Sequence, residues 1–251
     1  MKKIFLSLIV ASSILFTGCL DTTQEVTINA DGSGVIASTN DMSALITLVK
    51  QMGGADQMKD QGGMKKMDST VSLAPYVDSI ANLTDTEKQI LKKGSLHIVM
   101  DMVDEKFRTQ TSMPFSNLAD VAICNKLSSK ILGEKMTKEM GKMPEGAPEM
   151  PAMSSIEDYF TTTYSNGLIK KTLNKEKYAK VASDEFLKNM KEAGAMGLEM
   201  KATYIINLPQ AAKEVVGKNI KLSDDKKVVT IKANLDDFFD NASLLEYEIK
   251  Y

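Results

Sequence analysis

The chain has 251 residues, 43% of them apolar and 25% charged, which excludes a wholly disordered chain and a polytopic membrane protein. Lysine and arginine number 31 against 33 acidic residues, so the balance does not favour nucleic acid as a partner. A single histidine, His97, a single arginine, Arg108, and no tryptophan argue against a histidine-built catalytic or zinc site.

Residues 1–19 read MKKIFLSLIVASSILFTGC. Lys2 and Lys3 form a basic start, and Ile4 to Phe16 form an apolar run of 13 residues. A helix of that length rises about 20 Å, short of the roughly 30 Å hydrocarbon core, so the run reads as a signal segment and not a span. Thr17-Gly18 stands directly before Cys19. These residues resemble the lipobox of bacterial lipoproteins, with Phe16 where the family prefers leucine. The resemblance implies that Cys19 is lipidated with two or three acyl chains, palmitate among them, and becomes the first mature residue. Residues 1–18 are then a lipoprotein signal peptide, and each buried CH₂ of the anchor contributes about 0.8 kcal/mol to membrane binding. Leu20, not aspartate, follows the cysteine, which points to an outer-membrane anchor facing the periplasm. Past this motif the chain resembles, in style alone, the uncharacterised lipoproteins of lysine-rich, arginine-poor Gram-negative bacteria.

Val26, Ile28 and Ala30 alternate with polar neighbours, which predicts a half-buried strand. Asp31-Gly32 turns it into a second strand, Gly34 to Thr39. Asp41 or Ser43 caps a helix carrying Leu45, Leu48, Val49 and Met52, stopped at Gly53-Gly54. Residues 53–70 read as a mobile, Gly/Met-rich loop. A helix is expected over 73–92, with a cap-like restart at Thr84-Asp85-Thr86-Glu87 and a stop at Gly94. Leu96, Ile98, Met100 and Met102 share a strand face, Asp104-Glu105-Lys106 turns the chain, and Phe107 to Met113 returns. Pro114 breaks that strand, and Ser116 or Asn117 caps a helix to about Leu132.

Pro144, Pro148 and Pro151 forbid a long helix in 134–154, which reads as a second mobile Met-rich segment. Ile156 to Thr163 and Leu168 to Leu173 are strands around Ser165-Asn166-Gly167. An amphipathic helix spans 174–192, and Ala202 to Leu208 is a strand ended by Pro209. Residues 219–233 form a hairpin turning at Ser223-Asp224-Asp225. A short helix, Leu235 to Phe239, precedes a closing strand from Leu244 to Tyr251. Adjacent strands joined by short turns, with helices between, predict an α+β fold: an antiparallel sheet built from hairpins with helices mainly on one face. Residues 19–251 are expected to form a single domain around one sheet.

No HExxH, GxSxG, CxxC, GxGxxG or Walker pattern occurs, which argues against an enzyme. Asp224-Asp225 and Asp236-Asp237 fall in a turn and at a helix start, where carboxylates serve solvation and the helix dipole. Asn29, Asp31 and Ser33 are read as turn residues, because a calcium loop's acidic closing ligand is missing. His97 is expected on the strand face opposite Leu96 and Ile98. Cys124, sharing a helical stripe with Val121 and Leu127, is expected to be a buried, inert thiol.

Methionine is the unusual residue, 17 in all. Met64/Met67, Met140/Met143 and Met150/Met153 have MxxM spacing, which resembles the Met motifs of periplasmic copper proteins. Thioethers suit Cu(I), so these six are the candidate metal residues. As adaptable apolar side chains they could instead serve as lids over an apolar ligand. The expected function is a membrane-anchored, periplasm-facing lipoprotein acting as a structural or interaction module. A carrier or sensor of a lipid or other apolar ligand, and Cu(I) capture, are the alternatives. No cofactor is expected. The expected partners are the membrane, through the lipid on Cys19, and an envelope protein.

Overall fold

The computed structural model describes residues 18–44, 46, 66–80, 82–101, 103–128, 131, 156–195 and 198–251. Its strands in chain order are β1 (Gly18–Ile28), β2 (Gly34–Asp41), β3 (Met67–Ser72), β4 (Ser95–Asp101), β5 (Lys106–Phe115) and β6 (Phe160–Ser165). Then come β7 (Leu168–Leu173), β8 (Leu198–Asn207), β9 (Glu214–Gly217), β10 (Ile220–Leu222), β11 (Val228–Asn234) and β12 (Tyr247–Lys250). The helices are α1 (Asp85–Lys93), α2 (120–128), α3 (Lys175–Tyr178), α4 (Glu185–Ala195) and α5 (Leu235–Asn241). The fold is α+β with open sheets.

Two sheets form in place of the expected one. The larger has eight strands in the order β10-β11-β8-β1-β2-β5-β4-β3, and the smaller runs β6-β7-β12-β9. The larger sheet takes strands from both sides of the Pro-rich segment. It is not wholly antiparallel, because β1 pairs with β8 in parallel, Gly18 opposite Leu198 through Thr27 opposite Asn207. The other pairings are antiparallel.

Register turns the alternation of β1 into rows that cross the whole sheet. Val229, Ile206, Val26, Ile36 and Met113 lie side by side on one face and are buried. Val121, Cys124 and Leu127 of α2, with Ile90 and Leu91 of α1, close over them, as do Ile169 and Ile249 of the small sheet. A second cluster gathers around Phe238 of α5, with Tyr159, Phe160, Leu187, Ala242 and Leu245. Tyr159 and Tyr178 meet the Phe238 ring edge-on at 5.5 and 5.4 Å. The opposite face of the large sheet is polar and open, with Glu25, Gln110, Thr70 and Lys232 exposed.

Local signals account for many boundaries. Thr84 accepts from the N–H of Glu87 while Glu87 reaches back to the Thr84 N–H, a complete capping box that starts α1. The Asp41 carboxylate accepts from the N–H and hydroxyl of Ser43, where a helix begins. Gly32 and Gly167 take positive φ in the two expected turns.

Several expectations need correction. β1 starts at Gly18, well before Glu25, because β8 supplies backbone partners along its whole length. Residues 67–70, expected in a loop, open β3, which pairs with β4. The helix expected over 73–92 is a 3-10 turn, Ala74–Ser79, followed by α1. Pro75 stands at its start, and the chain turns through Asn82 at φ 59° before α1. The helix over 174–192 is broken into α3, a 3-10 turn and α4, with Asp184 accepting from the Leu187 N–H at the restart. β9 was not expected. The remainder of 53–70, apart from Lys66, and all of 134–154 lie outside the described residues.

Candidate functional site

The most chemically dense place in the structure lies where the small sheet packs on the large one. In β7, Ile169 and Lys171 alternate with exposed neighbours, so strand periodicity sends Lys171 inward beside a core residue. Its side chain is 2% exposed. Lys171 Nζ lies 2.7 Å from Oε1 of Glu157, at the turn leading into β6. The ammonium also sits over two rings, 4.4 Å from the Phe160 centroid and 4.7 Å from that of Tyr204. Tyr204, on the inner face of β8, donates its hydroxyl to the same carboxylate oxygen. Glu157 therefore holds one group from each sheet.

Two further tyrosines complete the cluster. Tyr247 is the register partner of Lys171, and its hydroxyl is hydrogen-bonded to that of Tyr164. Burial raises the hydroxyl pKa of Tyr204, Tyr164 and Tyr247, and the Glu157 carboxylate adds to each. All three stay neutral through the physiological range. The cluster is a brace: a desolvated ion pair is tolerated because a short hydrogen bond and two ring faces replace the lost water.

A polar belt continues from this brace across the large sheet. Tyr204, Gln24, Ser38 and Thr111 are register neighbours on the inner face. Gln24 donates to Asn125 of α2 at 3.1 Å, and Thr111 donates to Ser128 at 3.3 Å. The next row holds Ala202, Thr22, Asn40 and Thr109. Two buried hydroxyls of the belt, on Ser38 and Thr109, make no hydrogen bond.

Beyond the belt, at the end of the sheet where β1 begins, the inner face turns apolar again. Met67 stands opposite Met100, and Met100 opposite Phe107. Met42 donates its N–H to the Phe107 carbonyl, and Leu20 stands opposite Met200. All six are half-buried, and none belongs to either core cluster.

The candidate residues read from sequence are scattered. Cys19 lies in β1 opposite Glu199. Met67 is in β3, while Met64, Met140, Met143, Met150 and Met153 lie outside the described residues. Cys124 is buried in α2, and burial, with Asp120 nearby, pushes its thiol up to about 12. His97 lies on the open face with Nε2 2.8 Å from Asp68. Asp225 accepts from Ser223 within the turn, and Asp237 sits in the first turn of α5, its N–H donated to Asn234. Asn29, Asp31 and Ser33 bond one another across the first turn. Among the described residues, no three His, Cys, Asp or Glu side chains are placed to hold a metal ion.

Two surface clefts are open to solvent, with mixed polar and apolar walls. One, of about 340 Å³, is lined by Asp85, Gln89, Lys93, Asn117 and Asp120. The other, of about 350 Å³, is lined by Asp158, Tyr159, Lys177, Lys180 and Asp184. Neither contains a nucleophile paired with a base. Sequence reasoning missed the brace, although the alternation of Ile169 and Lys171 signals an inward lysine.

No protein-family model matches the chain, and no curated protein matches it. Among solved structures it matches the NMR structure of the folded domain of LppM from Mycobacterium tuberculosis, 10% identical, over 95% of this chain and 94% of that one, with a TM-score of 0.32. A likeness that distant carries no argument. No helix among the described residues is long and apolar enough to cross a membrane.

Proposed function

We propose that this is a lipid-anchored protein of the bacterial envelope, held by acyl chains on Cys19 and working as a structural or interaction module. One observation carries the reading. The first strand begins at Gly18, beside the lipobox cysteine, so a chain that matures at Cys19 starts inside a strand of the folded sheet. Cleavage at that point removes Gly18, with its pairing to Leu198, and spares every β1 pairing from Cys19 onward. The acyl chains then leave the domain without a tether. Leu20, where an aspartate would mark inner-membrane retention, favours the outer membrane facing the periplasm. Interaction is favoured over catalysis because the densest polar cluster spends its groups on one another between the two sheets, with Lys171 buried and Glu157 and Tyr204 paired to it or to each other.

The test is mass spectrometry of the membrane-extracted chain and of a Cys19→Ala variant. The reading expects an acylated N-terminal peptide beginning at Cys19 in the parent, and a variant that carries no acyl chains and keeps residues 1–18. An unmodified Cys19, or a variant cleaved at the same bond as the parent, overturns it.

A further inference from the structure

Four features converge on one end of the large sheet. The first is the apolar row Met67, Met100, Phe107, Met42, Leu20 and Met200, which crosses the six adjacent strands β3, β4, β5, β2, β1 and β8. At a strand spacing of about 4.8 Å the row is roughly 24 Å long. The second is Val103, 88% exposed at the tip of the β4–β5 hairpin, directly beyond Met100 and Phe107. The third is the start of β1, where Cys19 immediately precedes Leu20 of the row. The fourth is charge. The cations of this rim are matched with anions of the same rim: Lys66 with Asp101 at 3.0 Å, Lys106 with Asp104 at 3.4 Å, Arg108 with Asp41 at 2.7 Å and Lys201 with Glu199 at 2.6 Å.

We infer that this end of the sheet is a membrane-contact edge: the Val103 tip enters the interface of a zwitterionic bilayer, with the methionine row directly behind it. The inference rests on the proposed anchor, because acyl chains on Cys19 bring this end of the sheet, and not the Asp31-Gly32 end, to the lipid. Among the described residues the matched charges leave no excess of cations, so the fitting surface is phosphatidylcholine-like and not anionic. A lone exposed valine is unremarkable. Its place beside an apolar row, set off from the core by the polar belt on β8, β1, β2 and β5 and joined to it only along Leu96 and Ile98 of β4, is what distinguishes it. Methionine suits the position because its flexible thioether side chain repacks against disordered lipid as readily as against protein.

The chain contains no tryptophan, so a single introduced one reports its own surroundings. The experiment compares Val103→Trp with Val35→Trp in the full chain, on phosphatidylcholine vesicles with brominated acyl chains. Val35 is 38% exposed on the open face near the opposite end of β2, so this control carries tryptophan's own interfacial affinity to a different place. The expected result is a blue shift and loss of at least half the emission for Val103→Trp, unchanged by high salt, with Val35→Trp unaffected. Equal, unquenched emission from both variants overturns the inference. So does quenching that appears only when anionic lipid is added. The two readings fail separately. An unacylated Cys19 sinks the anchor, while quenching of Val103→Trp on that same chain still decides where the membrane touches.

Discussion

Lys171 is the residue on which the joint between the sheets depends. Replacing it with methionine keeps the stem's volume but leaves Glu157 and the Tyr204 hydroxyl facing each other without the cation. Removing one partner of a fully buried pair costs about 3–5 kcal/mol, and the 29% exposure of Glu157 sets the expected cost here below that range. Lys171→Met should therefore lower the urea midpoint strongly, and Lys171→Met with Glu157→Gln should recover part of the loss. Equal midpoints for the single and double variants would show that the charge on Glu157 is not what hurts. Asp101 makes a prediction in pH. Backbone N–H donation from Asp104, then the Lys66 ammonium, then Val103 N–H, hold its carboxyl at about 2. Its folded value lies below the unfolded one, near 3.9. The stability it contributes is complete above pH 4 and is lost as pH falls from about 4 towards 2. Asp101→Asn should flatten acid unfolding in that window and leave the curve above pH 5 parallel to that of the parent.

At the scale of elements, hairpins were legible and layers were not. Asp31-Gly32, Ser165-Asn166-Gly167 and Ser223-Asp224-Asp225 each require a tight turn, and each makes one. Turn chemistry is local, so short-range residues suffice to specify it. Sheet membership is not local. Nothing near Val228 says that β11 joins the strands of the first half while β12 joins β7. The brace was hidden for a related reason. Lys170 and Lys171 are chemically alike, and only the position of Ile169 in the pleat tells them apart, one exposed and one sealed. Gly34 is the element-scale counterpart. A Cβ there would lie 1.9 Å from the Thr27 carbonyl oxygen and 2.5 Å from Cζ of Phe115. Two backbones and a ring meet at that point, so Gly34→Ala must push β2 away from β1. We expect a loss of about 1–3 kcal/mol in chemical denaturation, the cost of an overpacked core site. A neutral outcome would mean that β2 and β1 separate at this point, and Phe115 moves aside, without cost.

At the scale of the whole molecule, three bands cross the inner face of the large sheet over β8, β1, β2 and β5: the core row, the polar belt and the methionine row. Strand alternation in the sequence showed which residues share a face, but not that the face itself is banded. Banding runs perpendicular to the chain and emerges only when register lines up residues distant in sequence. The parallel pairing of β1 with β8 has a consequence in time. Gly18 meets Leu198 and Thr27 meets Asn207, so these contacts close loops of about 180 residues, while β1 with β2 closes one of a few. A chain made from its N-terminus forms that first hairpin early. It must then wait for the last fifth of its length before β1 gains a second neighbour. Contacts of that sequence separation slow folding. During the wait, the strand destined for the centre of the sheet is an unpaired edge. The flank of β1 that β8 later covers is therefore the part of the chain exposed longest to mispairing, long after its own hairpin partner has formed.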